Sequence, residues 1–287
     1  MNPYLVLIIG IILGSTSGIF IKLLALPTTS IAFFRLSVPL IITFIYLKLK
    51  RIKLFTGNYK VMLYASLFNA IRLFFYFAAF LYTSMTNAAI ILFTWPIFAA
   101  IFGIFILNEK ITKEEFFLFG LAFLGIIVMN IGKEFTLENN DIIGMGSMLI
   151  SAIVLALANV SFKKVIKDYS NMETIFYQNL IGTFLFLPFI FINKPLPNFE
   201  QFYVGIFYAI LIGLVVFYLF FYSMRRIKMI QYSLFKYFEV LFNIIFGILI
   251  FNDQLTLPII IGGLMIILSG ILLRLKADFK LVNLFSR

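Results

Sequence analysis

This chain of 287 residues is 63% hydrophobic and only 12% charged, and its mean hydropathy is +1.08. Soluble domains carry about 25% charged residues, so this composition excludes an ordinary water-soluble protein and indicates an integral membrane protein. The chain has no Cys and no His, which excludes disulfides, thiolate nucleophiles, Ser-His-Asp triads and metal sites built on those residues.

Ten apolar stretches follow one another along the chain, each close to the roughly 20 residues that a helix needs to cross a bilayer. We call them spans 1 to 10; they cover residues 3–24, 28–47, 61–83, 86–107, 114–132, 142–163, 172–193, 201–224, 228–251 and 257–275. The stretches are apolar on all sides instead of alternating, which favours helices over a β-barrel. The sequence therefore predicts an all-α polytopic membrane protein with ten transmembrane helices.

The positive charges predict the orientation of these helices. With the N-terminus inside, the inner connections and the C-terminal tail hold 17 of the 23 Lys and Arg residues: Lys48, Lys50, Arg51, Lys53, Lys60, Lys110, Lys113, Lys163, Lys164, Lys167, Arg225, Arg226, Lys228, Arg274, Lys276, Lys280 and Arg287. Only Lys133 and Lys194 fall in outer loops. Because cytoplasmic loops retain Lys and Arg during insertion, we expect both termini in the cytoplasm and the chain in the cytoplasmic membrane. The same rule accounts for the net charge of +11, so nucleic acid is not an expected partner.

A sequence repeat divides the chain into two halves. Residues 101–112 read IFGIFILNEKIT and residues 245–256 read IFGILIFNDQLT, with seven identities in twelve at an offset of 144. Five spans per half is an odd number, so the second half enters the membrane with opposite polarity. The sequence therefore predicts two inverted five-helix repeats, residues 3–132 and 142–275, an arrangement typical of secondary transporters.

Several short motifs are shared with a known family. They are Gly14-Ser15, Lys22, Phe34-Arg35, Pro96, the Asn-Glu-Lys-Ile-Thr corner at 108–112 and the Gly-rich spans 5 and 10. Together these residues resemble the EamA family of the drug/metabolite transporter superfamily. Asp253 and Lys236 depart from the family pattern. The resemblance implies a ten-helix metabolite carrier, often an exporter of amino acids or related compounds, and not an enzyme.

Ionisable residues inside spans are the leading candidates for a binding site. A charge near the bilayer centre costs about 2.5–3.5 kcal/mol on insertion scales and must face protein or water. A rise of about 1.5 Å per residue places Arg72, Lys236 and Glu239 near the midplane. A zwitterion suits these groups, with its carboxylate at Arg72 and its ammonium near Glu239. The alternative is that Lys236 and Glu239 only pair with each other to lower the cost of insertion.

Polar residues at helical spacing extend both sets. Asn69 and Tyr76 share one face with Arg72 in span 3, while Tyr232 and Asn243 recur on the side of Lys236 and Glu239 in span 9. Trp95, the single tryptophan, lies mid-span beside Pro96. A kink there would present an aromatic surface to the substrate side chain, with core packing as the alternative.

Two other cations and two acids have structural interpretations. Lys22 and Arg35 lie toward the outer ends of spans 1 and 2, and we expect them to anchor the helices by snorkelling to water. Glu109 and Asp253 end their spans and are interpreted as related helix-terminal features at the membrane surface.

The expected function is secondary transport of a small molecule, most readily an amino acid or a related carboxylate compound. The expected partners are this substrate and membrane lipid, and no cofactor or metal is predicted. A channel, a non-transporting scaffold and, with less support, a membrane-embedded enzyme are the alternatives. Glu239 is the one carboxylate well inside a span, so proton coupling would depend on it, whereas a facilitator driven by the substrate gradient fits equally well.

Overall fold

The computed structural model describes residues 1–83, 85–131, 139–192, 196–251 and 254–285. Every regular element in these ranges is a helix, which confirms the all-α prediction. Eight helical stretches among them are long and apolar enough to cross a bilayer, and a shorter apolar helix covers Leu257–Leu273. The chain is therefore a multi-pass membrane protein. The Asn252-Asp253 corner, Lys133 and Lys194 lie outside the described residues.

The helices fall on the ten predicted spans. In the first half they are Pro3–Ser15 and Ser17–Leu24 in span 1, Thr28–Leu49 in span 2, Tyr59–Tyr82 in span 3, Met85–Leu92 and Trp95–Leu107 in span 4, and Lys113–Met129 in span 5. In the second half they are Asn139–Val165 in span 6, Asn171–Ile192 in span 7, Phe199–Tyr208, Ala209–Val216 and Phe217–Met224 in span 8, Met229–Lys236 and Phe238–Phe251 in span 9, and Leu257–Phe285 in span 10. The last helix continues beyond residue 275, where the sequence interpretation ended it.

Side chains next to the loops explain where two of the helices begin. The Thr112 hydroxyl accepts from the Glu115 backbone N–H at 3.2 Å, and the Glu115 carboxylate accepts from the Thr112 N–H at 3.0 Å. Asn198 and Gln201 form the same reciprocal pair at the start of span 8. Such capping boxes satisfy backbone donors that the first helical turn leaves free, so these polar residues fix where the following helix begins.

The packing of the spans follows a regular pattern across the two halves. Three spans pack on their own counterparts in the other half: span 2 on span 7, span 4 on span 9 and span 5 on span 10. The remaining contacts come in corresponding pairs. Span 3 packs on span 6 and span 1 on span 8, while span 3 contacts span 7 and span 2 contacts span 8. If each span in this set is replaced by its counterpart in the other half, five spans away, the same set of contacting pairs results. The inverted repeat stays a prediction, and this pattern of contacts supports it.

Glycines allow the closest of these contacts. A Cβ placed on Gly125 in span 5 would lie 2.7 Å from the carbonyl oxygen of Gly262 in span 10, and one on Gly262 would meet the carbonyl oxygen of Gly125. Neither position has room for a side chain. Small residues let membrane helices approach backbone to backbone, which accounts for the Gly-rich sequences of spans 5 and 10.

Four spans are interrupted along their length. Span 1 breaks at Thr16, span 4 at Phe93-Thr94 and span 9 at Tyr237, while span 8 is a π-helix over Ala209–Val216. The breaks in spans 4 and 9 lie 144 residues apart, which is the offset of the sequence repeat. Interrupted helices and π segments are common at functional sites because they redirect side chains and free backbone groups.

Candidate functional site

The break in span 9 carries an ion pair. Lys236 is the last residue of one helix and Glu239 lies in the first turn of the next, and their Nζ and Oε2 atoms are 2.5 Å apart. The Lys236 ammonium also lies 3.9 Å from the centroid of the Phe220 ring, a cation–π geometry. Lys236 is buried and Glu239 is partly exposed. The two charges therefore neutralise each other at the junction, as the alternative interpretation of the sequence expected.

Neighbouring side chains fix this junction in place. The ring of Tyr232, which is buried, meets Phe220 edge to face at 6.5 Å. The Ser15 hydroxyl donates to the Glu239 carbonyl at 3.3 Å, so the break in span 1 contacts the break in span 9. Asn243 is exposed, one turn further along the second helix. The position of Tyr232 and Asn243 on one side of span 9 stays a prediction.

Span 3 brings Asn69 and Arg72 together as the spacing predicts. The Arg72 Nε donates to the Asn69 side-chain oxygen at 3.3 Å, while the Asn69 amide donates to the Gln178 carbonyl at 3.5 Å. The Ser151 hydroxyl donates to the Arg72 carbonyl at 2.8 Å. Contacts from spans 6 and 7 thus hold this turn of span 3, and Asn69 orients the guanidinium of Arg72.

The two sets of residues belong to one electrostatic centre. Arg72 lies within electrostatic range of Glu239 and Tyr76, and Tyr76 in turn lies within range of Glu239 and Tyr208. In the described part of the chain, Arg72 has no acidic partner within 4 Å. Its charge is therefore available to an anionic group, whereas the charge of Lys236 is balanced by Glu239.

Trp95 is the first residue of the second helix in span 4 and is only 5% exposed. The helix breaks immediately before it, where the sequence predicted a kink beside Pro96. Thr94 stabilises the break by donating its hydroxyl to the Ile91 carbonyl at 2.6 Å. Trp95 packs within the main apolar core. A contact between Trp95 and substrate stays a prediction.

Arg35 does not lie where the sequence interpretation placed it. Its guanidinium carbon is 5.2 Å from the centroid of the Phe217 ring in span 8, and its Nε is buried. It is also within electrostatic range of Arg72 and Tyr76. Depth along span 2 suggested an anchor at the surface, but close packing of span 2 on span 8 turns the side chain inward. Lys22 is exposed, in agreement with the expectation for that residue.

Tyr208 is a polar member of the centre that the sequence did not single out, and it contacts Ser17, which the sequence offered either as a path-lining residue or as a small residue for close helix contact. Their hydroxyl oxygens are 3.1 Å apart, joining span 8 at the start of its π-helix to span 1 just after its break. A signal for both existed in the sequence, because each is a polar residue within an apolar span. In a chain that is 18% aromatic, however, one tyrosine among many carries little information.

A second polar cluster joins the two halves at the predicted inner ends of the spans. The Glu109 carboxylate accepts from the Met229 backbone N–H at 2.7 and 2.8 Å and lies 3.6 Å from the Lys163 ammonium. Lys163 also donates to the Met224 and Ile227 carbonyls. Lys228 lies 3.7 Å from Glu115 and donates to the Lys110 carbonyl at 2.8 Å. We call this cluster the inner latch; Glu109 is thus more than a helix-terminal residue.

Comparison with known proteins gives the family. The sequence profile of the EamA-like transporter family matches residues 1–131 and 142–275. This chain belongs to the EamA-like transporter family. The match to both halves supports the proposed repeat, and membership confirms the resemblance found in the sequence.

Individual relatives agree with this assignment. An uncharacterized transporter of Archaeoglobus fulgidus is 26% identical over 284 residues, which is 95% of this chain and 96% of that one. The pseudopaline exporter CntI of Pseudomonas aeruginosa is 23% identical over 172 residues, 60% of each chain. A crystal structure matches with a TM-score of 0.80 over 94% of this chain and 97% of the other at 14% identity, which shows a shared fold alone.

Proposed function

We propose that this EamA-like transporter is a secondary carrier of a small carboxylate-bearing metabolite, with an amino acid as the leading candidate. The observation that carries the proposal is that Arg72 lies within electrostatic range of Glu239, which pairs with Lys236 at the break in span 9. In inverted-repeat carriers, broken helices near the midplane form the substrate site at the interface of the halves. Arg72 comes from the first half, and Lys236 and Glu239 come from the second.

The proposed roles follow from charge and geometry. Arg72 binds the substrate carboxylate, because a planar guanidinium holds both oxygens and this one has no acidic partner within 4 Å among the described residues. Glu239 is partly exposed and receives the ammonium group of the substrate while it stays paired with Lys236. Asn69, Tyr76 and Tyr232 complete the site, with Asn243 at its exposed margin and Trp95 beside the substrate side chain.

Alternating access supplies the transport cycle. With both termini in the cytoplasm, the inner latch closes the cytoplasmic end of the interface between the halves. Opening toward the cytoplasm requires Glu109 to leave the Met229 N–H and Lys163, since these contacts cross from one half to the other. Partly buried contacts of this kind have two discrete arrangements, formed or broken, as a gate requires.

Ligand-induced thermal stabilisation tests the site directly. Purified wild-type protein should be stabilised by carboxylate compounds from a metabolite panel, and Arg72→Gln should weaken that binding by roughly 10- to 100-fold, the effect of losing one charged hydrogen-bonding group. Arg226→Gln is the matched control, because it removes an exposed arginine outside the site. Equal stabilisation of wild type and Arg72→Gln contradicts the role of Arg72.

Counterflow in liposomes tests the mechanism of transport. A carrier gives saturable exchange that a preloaded substrate accelerates, whereas a channel gives neither saturation nor counterflow. Repeating the assay with an imposed pH gradient distinguishes transport coupled to protons from transport driven by the substrate gradient alone. A gradient response that Glu239→Gln removes assigns proton coupling to Glu239, and a wild type without a response is a facilitator driven by the substrate gradient.

A further inference from the structure

Arg35 reaches the centre because span 2 and span 8 touch backbone to backbone. A Cβ placed on Gly213, inside the π-helix of span 8, would lie 2.5 Å from the Arg35 carbonyl oxygen. Only glycine fits at that distance. The approach brings the Arg35 side chain against the Phe217 ring at 5.2 Å and buries its Nε, which has no hydrogen-bond partner. A desolvated donor of this kind is costly unless a ligand satisfies it.

Span 8 places Arg35 and Lys236 on neighbouring aromatic rings. The centroids of Phe217 and Phe220 are 5.9 Å apart, one helical turn from each other. Arg35 lies over the first ring, and Lys236 lies over the second at 3.9 Å. The rings therefore hold one cation from each half. Glu239 forms its direct ion pair with Lys236, because its carboxylate is 2.5 Å from that ammonium.

The centre carries an excess of positive charge. Arg35 and Arg72 come from the same half and lie within electrostatic range of each other, so their charges repel. Within the described ranges, the centre combines Arg35, Arg72 and Lys236 with the single carboxylate of Glu239, a formal charge of +2. Like charges in a weakly polar interior repel each other strongly unless a counter-ion accompanies them. A neutral zwitterion leaves both units of this excess in place, whereas an acidic amino acid removes one and a dianion removes both.

We propose that Arg35 is a second anion ligand and that the substrate carries two acidic groups, one bound by Arg35 and the other by Arg72. Such a substrate is a small dicarboxylate, whose two negative charges balance the whole excess, or an amino acid with an acidic side chain, whose net charge of −1 balances half of it. This inference rests on the proposed function and deepens it, since it names the substrate class of the same site.

Matched pairs of compounds test this inference. Succinate is compared with succinamate and glutamate with glutamine at about pH 7.5, where the carboxylic acids are ionised, so that each pair differs by one negative charge. Binding to the purified full chain is measured by thermal shift and by competition. Wild type should bind the more acidic member of each pair at least about tenfold more tightly, the effect of one charge-assisted contact.

Variants assign that preference to Arg35. Arg35→Gln should bring each pair within about twofold, because the second anion site is gone. Lys22→Gln, which removes the other cation that the sequence interpreted as an anchor, should keep the wild-type ratio. Where Arg35→Gln fails to fold, Arg35→Lys keeps the charge but not the planar fork and should lower the ratio by at least about threefold.

The outcomes separate the two hypotheses. A wild-type ratio near one, or a ratio that survives Arg35→Gln or Arg35→Lys unchanged, overturns the inference. If single-carboxylate compounds still bind and lose affinity in Arg72→Gln, the proposed function stands while the inference fails. If no carboxylate compound binds wild type at all, both fail.

Discussion

The breaks in span 4 and span 9 have equivalent positions but different chemistry. At the offset of 144 residues, Phe93 corresponds to Tyr237, and both positions interrupt a helix. The flanking residues differ, since Lys236 and Glu239 in span 9 correspond to Leu92 and Trp95 in span 4. One break holds an ion pair and the other packs a tryptophan into the apolar core. The backbone interruption thus belongs to the shared architecture, while the charges belong to one half.

This difference bears on how the site works. In the proposed carrier, halves related by the predicted repeat exchange conformations in a transport cycle, whereas a substrate with distinct ends needs distinct partners. Arg35 and Arg72 come from the first half and Lys236 and Glu239 from the second, so the acidic and basic groups of the centre are unequally distributed. Unequal charges on the predicted pseudo-symmetric frame suit the oriented substrate of the proposed function.

The largest expected effect tests the inversion on which the comparison rests. Thr56 and Glu200 lie 144 residues apart and are both exposed, and the native chain has no cysteine. In separate variants, Thr56→Cys should react with an impermeant maleimide only from the cytoplasm, and Glu200→Cys only from outside. Labelling of both from the same side contradicts the inverted repeat. Wild type is the control for background labelling.

The second expected effect concerns the charge that only span 9 carries. Lys236→Leu leaves Glu239 without its partner and should destabilise the protein by about 3 kcal/mol, the lower end for breaking a buried pair because Glu239 is partly exposed. Adding Glu239→Gln should recover most of the loss. Leu92→Met at the corresponding position in span 4 is the control, with a change of less than about 1.5 kcal/mol. Thermal unfolding measures the stability of all three variants. A Lys236→Leu variant as stable as wild type would show that the ion pair adds nothing to stability.

The smallest expected effect concerns Pro96, and it tests whether this proline causes the break in span 4. Pro96 lies in the first turn of the second helix, and its counterpart in span 9 is Val240, so span 9 breaks without a proline. Proline is tolerated at the start of a helix because its missing N–H has no intrahelical partner there. Pro96→Ala should therefore change stability by less than about 1 kcal/mol. A gain of about 3 kcal/mol would mean that proline, and not the fold, interrupts span 4.

Part of the site was predictable because its signals are local. Asn69 and Arg72 are three residues apart on one helix, so helical periodicity alone placed them together. Lys236 and Glu239 stood out since charges are rare within apolar spans. The break at Tyr237 was not predictable, because the sequence has no proline or glycine beside it. Arg35 was misplaced because depth along one helix says nothing about which neighbour that helix touches.

The sequence by itself determined that this chain is a ten-span helical membrane protein with a sequence repeat. The length of the apolar stretches, the distribution of Lys and Arg and the repeated motif can all be read directly from the order of the residues. It also identified the charged residues that a bilayer would not tolerate without a partner. Only the tertiary structure decided which side chains of other spans surround these charges. The approach of span 2 to Gly213 turns Arg35 onto Phe217, and the contact between spans 8 and 9 sets Lys236 over Phe220. These contacts join residues from different spans, and their geometry depends on how closely whole helices pack.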